Sequence, residues 1–429
     1  MEPTPQTTEP RIALPAAPPG DGPAGRRAGR LRDRAAGRIA AEARAELDWL
    51  SGRPDRDPSL DYFVELMARD SSPAALSARL GRKVVALMCL QVPLELFLAL
   101  DLHPLRLYGG SVAAAASAPP GLPALMCPLL RSLMGGMVGE PSLAGLDWVI
   151  PTTCDWISGF EGLASLYFGD LARVRAVELP RRKENPQSAE RWLSEVAGLW
   201  GYLKRISGRK AGRRDLARAI GDLGRARAAL GRLARLRREG RVPGVWFFLI
   251  TGSFFLDGVS AWGQAASRAA DFFAGRPPQT GPGVFLSGSP IVFPNFKILH
   301  LLDDLGYAVL GDDMCSGERL IGRHVALKDR SEEGLLAALA ESGHEGCLCP
   351  VFVENRRRLG PILEAASEAD VRGVVFHLLK GCHPYEMDSL ALERDLAANG
   401  LRFLRLETDY TAEDRGSLST RLEAFRPTL

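Results

Sequence analysis

Seven cysteines punctuate this 429-residue chain, and most of them follow an apolar run that reads as a β-strand. Cys89 closes Val84–Met88, Cys154 closes Trp148–Thr153, Cys315 follows Ala308–Leu310, and Cys382 follows Val374–Leu379. Cys127 stands in Leu125-Met126-Cys127-Pro128, and Cys347 and Cys349 flank Leu348 just before Pro350. In open α/β sheets, ligands collect at the carboxyl ends of the strands. Thiols recurring there suit soft-metal or iron–sulfur ligation, because cluster irons are held mostly by thiolates. The competing reading of any one cysteine is a small buried hydrophobe. The set divides into Cys89, Cys127 and Cys154, then Cys315, Cys347, Cys349 and Cys382. Neither group has the tight spacing of a ferredoxin or a zinc ribbon. Such ligands would have to converge through the fold.

The elements that must position them read as α/β. Residues 1–34 are rich in Pro, Ala, Gly and Arg without periodicity and read as a disordered tail. Residues 35–80 carry apolar residues at helical spacing. From 81 to 185 strands alternate with helices, which implies a parallel sheet. Residues 186–280 are a helical insertion, and 281–429 form a second α/β unit that echoes the first. The expected architecture is two open parallel-sheet domains with an N-terminal helical segment and a helical insertion. In the second unit Val284–Leu286, Ala308–Leu310, Gly346–Pro350, Val371–Leu379 and Leu401–Glu407 read as strands.

Composition excludes several classes. A net charge of +3 is too small to argue for nucleic acid, and 46% apolar with 24% charged residues is ordinary for a globular protein. The apolar stretch from Val245 to Leu256 is broken by Thr251, Gly252 and Ser253. It falls short of the roughly 20 residues a membrane span needs. An odd cysteine count without a secretory signal argues for a reducing cytosol rather than a disulfide framework.

Longer phrases carry a resemblance. Met88-Cys89-Leu90-Gln91-Val92-Pro93-Leu94-Glu95-Leu96 with His103-Pro104-Leu105-Arg106-Leu107 resembles the opening motif of the 2-hydroxyacyl-CoA dehydratase and benzoyl-CoA reductase family. In the family's order follow Cys127-Pro128-Leu129-Leu130-Arg131-Ser132, Thr152-Thr153-Cys154-Asp155, and Ser287-Gly288-Ser289-Pro290 with Lys297. Then come Asp313-Met314-Cys315-Ser316-Gly317, Cys347-Leu348-Cys349-Pro350 with Asn355 and Arg356, Cys382-His383-Pro384-Tyr385, and Glu407-Thr408-Asp409-Tyr410 through Phe425. The resemblance spans about residues 45–429.

It implies two flavodoxin-like domains holding an oxygen-sensitive iron–sulfur cluster between them. In single-cluster dehydratases three cysteines bind a 4Fe–4S cluster, and by motif these match Cys127, Cys154 and Cys382. The family's dehydratases take one electron from a separate ATP-hydrolysing activator and pass it to a 2-hydroxyacyl-CoA for radical dehydration. The fuller set with Cys89, Cys315 and the Cys347/Cys349 pair looks more like the double-cubane (8Fe–9S) branch. That branch implies ATP-coupled reduction of small molecules or an aromatic acyl-CoA, and a non-catalytic electron-transfer subunit is a third expectation. A homodimer or a heterodimer with a related subunit is implied as well. One departure stands out, because Trp156-Ile157-Ser158-Gly159-Phe160 follows Cys154-Asp155 where that branch usually carries lysines.

Other residues have two readings each. His383 could donate to a cluster sulfide or act as a proton source. Glu95 opens a helix beside the Cys89 loop, which suits either helix-dipole stabilisation or catalysis. Ser287-Gly288-Ser289-Pro290 could cradle an anion with its amides or be a plain tight turn. Asp409 and Tyr410 could simply anchor the loop after the last strand. Gly208–Gly212 lacks the Gly-Lys-Ser/Thr ending of a phosphate-binding loop, so any ATP is expected to be hydrolysed by a partner.

Overall fold

A computed structural model describes residues 23–429 except 170, 172, 323, 324, 347, 354 and 355. Cys347 and Asn355 therefore lie outside the described residues, as do residues 1–22. Two four-stranded sheets, parallel throughout, form the frame. The first holds β1 (Lys83–Leu87), β2 (Leu102–Arg106), β3 (Asp147–Pro151) and β4 (Arg173–Val177) in the order β2-β1-β3-β4. The second holds β5 (Gly283–Gly288), β6 (Ala308–Asp312), β7 (Val371–Leu379) and β8 (Arg402–Thr408) in the order β6-β5-β7-β8. Both sheets thus repeat one topology, the first four strands of the flavodoxin order. The expected α/β architecture is present.

The strands sequence reasoning found carry apolar residues in a run: most are buried, and the half-exposed edge strand β8 still shows Phe403, Leu404 and Leu406. Val84-Val85-Ala86-Leu87 and Val374-Val375-Phe376 have no solvated face, as expected for parallel strands covered by helices on both sides. Edge strand β4 was missed: Arg173-Val174-Arg175-Ala176 stays half in water and presents no apolar run. One expected strand is a correction. Gly346 ends the helix Glu332–Gly346, and Leu348–Pro350 continues as loop and turn. The Leu- and Ala-rich run before it carries the helix forward, and no strand partner exists there among the described residues.

A second correction concerns the tail. The described part of residues 23–34 is the start of a helix, Pro23–Ser51, rather than disordered chain. Alanine and arginine are strong helix formers, and Ala35, Leu47 and Leu50 bury one face of this helix. Its Glu42 carboxylate accepts from the Ser111 hydroxyl (2.5 Å) and from the Val112 and Ala113 amides (2.9 Å each). It thereby satisfies amides that a helix start leaves without partners.

In the helical insertion, Arg213–Arg238 buries Leu216, Ala219, Leu223, Ala226, Leu230 and Leu233 at three- and four-residue spacing. The apolar helix Gly244–Gly252 is buried almost throughout. No helix among the described residues is long and apolar enough to cross a membrane.

Two buried histidines make the frame acid-sensitive. His103 on β2 meets the Phe255 carbonyl at 2.8 Å, and His377 on β7 meets the Ser289 carbonyl at 2.8 Å. Burial pushes each imidazole down to about 4, the carbonyl partners only partly opposing it. An unfolded histidine titrates near 6.5, so between those values the folded chain binds fewer protons than the unfolded one. Stability is therefore fully present above pH about 6.5 and falls as the pH drops towards about 4, by on the order of 3 kcal/mol per histidine. The urea midpoint of metal-free protein should fall clearly between pH 7 and pH 5; a flat midpoint over that range would contradict the assignment.

Candidate metal centre

Each sheet delivers its cysteines at the carboxyl end, two or three residues past a strand. Cys89 lies two residues beyond β1; Cys154, Cys315 and Cys382 lie three beyond β3, β6 and β7. Cys127, Cys154 and Cys382 each occupy the position before a helix: Pro128–Gly139, Asp155–Ser158 and His383–Ala398 respectively. No disulfide links the six described cysteines.

The fold gathers Cys127, Cys154 and Cys382 from both sheets. Cys382 donates a hydrogen bond to Cys127, which holds the Cys127 thiol below the ordinary range. The same bond, with burial, raises Cys382 well above it. Burial pushes Cys154 up to about 11, although the Ile157 and Trp156 amides face its sulfur. Leu129 and Leu130 present amides to Cys127 in the same way, and Ser289 bonds Cys382.

The two loops carrying Cys127 and Cys382 approach backbone to backbone. Gly381 has φ +73°, and a Cβ there would stand 2.1 Å from the Leu125 carbonyl, so only glycine fits. The Trp156 indole donates to the Gly381 carbonyl at 3.0 Å. This contact accounts for part of the departure after Cys154-Asp155: the tryptophan is a clasp between the halves.

Cys89, Cys315 and Cys349 line a second site, a cavity of about 610 Å³ that also takes in Glu95, Arg227, Asp312, Asp313 and Arg319. This group too draws on both sheets. The Arg106 guanidinium donates to the Cys315 carbonyl at 2.5 Å and lies 3.6 Å over the Tyr108 ring. The Tyr108 hydroxyl is 3.3 Å from the Cys315 sulfur. Arg358, buried, is bonded to Asp313 at 2.7 Å and to the Ser287 hydroxyl at 2.8 Å.

The remaining candidates separate. Glu95 is buried at this cavity, and its carboxylate pairs with Arg227 at 2.6 Å. Its helix, Glu95–Ala99, is five residues long, so the arginine, not a helix dipole, is what balances the charge. His383 is exposed at the start of its helix beside Cys382. The Ser287–Pro290 turn is a clamp and not an anion cradle. The Ser289 amide is spent on the His377 carbonyl (2.7 Å), and the Ser289 hydroxyl accepts from the Leu379 amide (3.1 Å). Sequence reasoning missed Arg106, Tyr108 and Arg358 as supports. The signal was a charged residue closing a strand as buried as Leu102–Arg106.

Among the described residues no three His, Cys, Asp or Glu side chains crowd closely enough to hold one metal ion. A cluster makes a looser demand, because its irons take their thiolates separately. Three thiols from three loops, faced by backbone amides and by a hydroxyl, fit that demand by donor type and by outer-shell support.

Paired parallel sheets that meet at thiol-bearing strand ends define a two-domain α/β protein with a candidate site between the halves. The chain belongs to the family described as 2-hydroxyglutaryl-CoA dehydratase, D-component, whose family model matches residues 89–429. It is 27% identical to an Escherichia coli (strain K12) protein, YjiM, whose name marks it provisionally as a dehydratase subunit, over 80% of this chain and 91% of that one. It is 22% identical to the (R)-phenyllactyl-CoA dehydratase beta subunit of Clostridium sporogenes, over 81% and 92%. To the (R)-2-hydroxyglutaryl-CoA dehydratase subunit beta of Acidaminococcus fermentans it is 21% identical, over 86% and 98%.

Proposed function

We propose that this chain is the iron–sulfur component of a reductively driven 2-hydroxyacyl-CoA dehydratase, holding a 4Fe–4S cluster on Cys127, Cys154 and Cys382. The observation that carries this reading is the convergence of those three thiols from both sheets. A reduced cluster there would supply one low-potential electron to an acyl thioester. The chain's own residues do the rest. Ser289 and the amides of Leu129 and Leu130 orient the sulfurs, and the Arg227–Glu95 pair stays charge-neutral at the neighbouring cavity. The exposed His383 imidazole is placed to hold or release a proton next to Cys382. An ATP-hydrolysing activator would deliver the electron, and the relatives named as beta subunits support a partner subunit of related fold. The reading places the protein in a reducing compartment such as the cytosol, where thiols persist.

A second reading rests on the cavity lined by Cys89, Cys315 and Cys349. With the first three thiols it supports a double-cubane (8Fe–9S) site and ATP-coupled reduction of a small molecule or an aromatic acyl-CoA. Iron and sulfide analysis of anaerobically purified protein separates the two. About four irons per chain are expected for one cubane and about eight for the double form. An iron-free chain, even after reconstitution, would defeat both readings.

A further inference from the structure

Tyr410 poses a question that the cluster ligands alone do not answer. It lies in the loop after β8, is 4% exposed, and packs in the same apolar cluster as Cys127 and Leu379, with Cys382 against it. Its hydroxyl has no hydrogen-bond partner among the described residues. Buried hydroxyls are rarely left so, and each case calls for an explanation. The neighbouring hydroxyls are already engaged: Ser289 bonds Cys382, and Tyr108 stands 3.3 Å from the Cys315 sulfur.

The backbone around Tyr410 is held more firmly than the end of a loop requires. The Asn295 side-chain amide donates to the Tyr410 carbonyl at 2.9 Å. The Lys297 ammonium, itself buried, donates to the Asp409 carbonyl at 2.9 Å and to the Thr411 carbonyl at 2.7 Å. Three consecutive carbonyls are therefore fixed by two side chains of the segment after β5. The Asp409 carboxylate adds a turn by accepting from the Thr411 amide at 2.8 Å. Such anchoring fixes the ring, and the ring carries an unsatisfied donor to the edge of the Cys127–Cys382 pair.

We propose that Tyr410 is a positioning residue whose hydroxyl donates a hydrogen bond to a sulfur of the group held by Cys127 and Cys382. The inference deepens the cluster reading and rests on it. A donor to sulfur stabilises the more electron-rich, reduced state, so it raises the reduction potential. Tyr410 therefore makes the site easier to reduce.

The test is Tyr410→Phe, which removes one oxygen and keeps the ring. In metal-free protein the variant should be at least as stable to urea as the wild type, since the hydroxyl has no protein partner to lose. A clear loss of metal-free stability would overturn the proposal by revealing a structural bond. After anaerobic reconstitution the variant should match the wild type in iron and sulfide, and its midpoint potential in a spectroelectrochemical titration should move to more negative values. Equal loading with an unchanged potential would overturn the proposal while leaving the cluster reading intact. A wild-type chain that takes up no iron would defeat the cluster reading, and this inference with it, before any variant is compared.

Discussion

Replacing Cys382 by serine is expected to reduce bound iron to background, and activity with it, while leaving the chain folded. The two halves of that statement come from different features. Cys382 bonds Cys127 and belongs to the thiol group under both the one-cubane and the double-cubane readings. Removing its sulfur leaves two thiols where a cubane needs three. The same residue is the N-cap of the helix His383–Ala398, where serine is among the preferred residues. Loss of iron in Cys382→Ser therefore cannot be ascribed to an unravelled helix. Cys315→Ser provides the contrast. It should leave a four-iron protein unaffected and take iron from an eight-iron protein, because Cys315 lines only the second cavity. Iron analysis and the far-ultraviolet circular dichroism of both variants read the outcome. Full iron and full activity in Cys382→Ser would remove the ligand assignment and most of the functional argument.

The strand ends were legible in the sequence because the core strands of a parallel sheet are continuous apolar runs, and the cysteines follow them at short, repeated distances. Spacing alone could not show which thiols meet; the trio Cys127, Cys154 and Cys382 was implied by the family motifs, not by the local pattern of apolar runs. Cys127 and Cys382 are 255 positions apart, and their approach depends on Gly381 lying against the Leu125 carbonyl. Nothing in either local phrase states that contact. The partition into Cys127, Cys154, Cys382 and Cys89, Cys315, Cys349 is likewise a property of two sheets facing each other, as each group mixes residues from both. Edge strand β4 was missed for the opposite reason, since its half-solvated Arg-Val-Arg-Ala pattern lacks the burial that marks its neighbours. The helix Pro23–Ser51 was misread at its start because arginines and glycines hid a face that is buried only further along, at Ala35, Leu47 and Leu50.

The charge network behind Cys315 gives the largest expected effect on stability. Arg237, at the end of the long insertion helix, has no solvent exposure. It bonds Asp312 at 2.6 Å, pairs with Glu318, and lies 3.7 Å over the Phe247 ring. Asp312 in turn accepts from the Met314 amide at 2.8 Å and the Glu318 amide at 3.0 Å, so it ties the turn that carries Cys315. Arg237 therefore balances Asp312 and shares Glu318 with Arg238, which lies 3.3 Å from the same carboxylate, while burial pushes Glu318 up. Arg237→Leu keeps most of the packing but takes away the ion-pair partner of the buried Asp312 carboxylate, while Arg238 still pairs with Glu318. Breaking a buried pair in this way costs about 3–5 kcal/mol. The variant can escape part of that cost by protonating a carboxyl, whose pKa then lies above its unfolded value. Such a group stabilises the fold below its unfolded pKa, and that contribution is lost as the pH rises through the folded pKa. The deficit of Arg237→Leu relative to the wild type should therefore be largest near pH 7 and shrink towards pH 5. Urea titrations of both metal-free proteins at the two pH values measure it. A variant within about 1 kcal/mol of the wild type at pH 7, far below the cost of a buried charge left without its partner, would show that the insertion helix does not hold the Cys315 turn through Arg237.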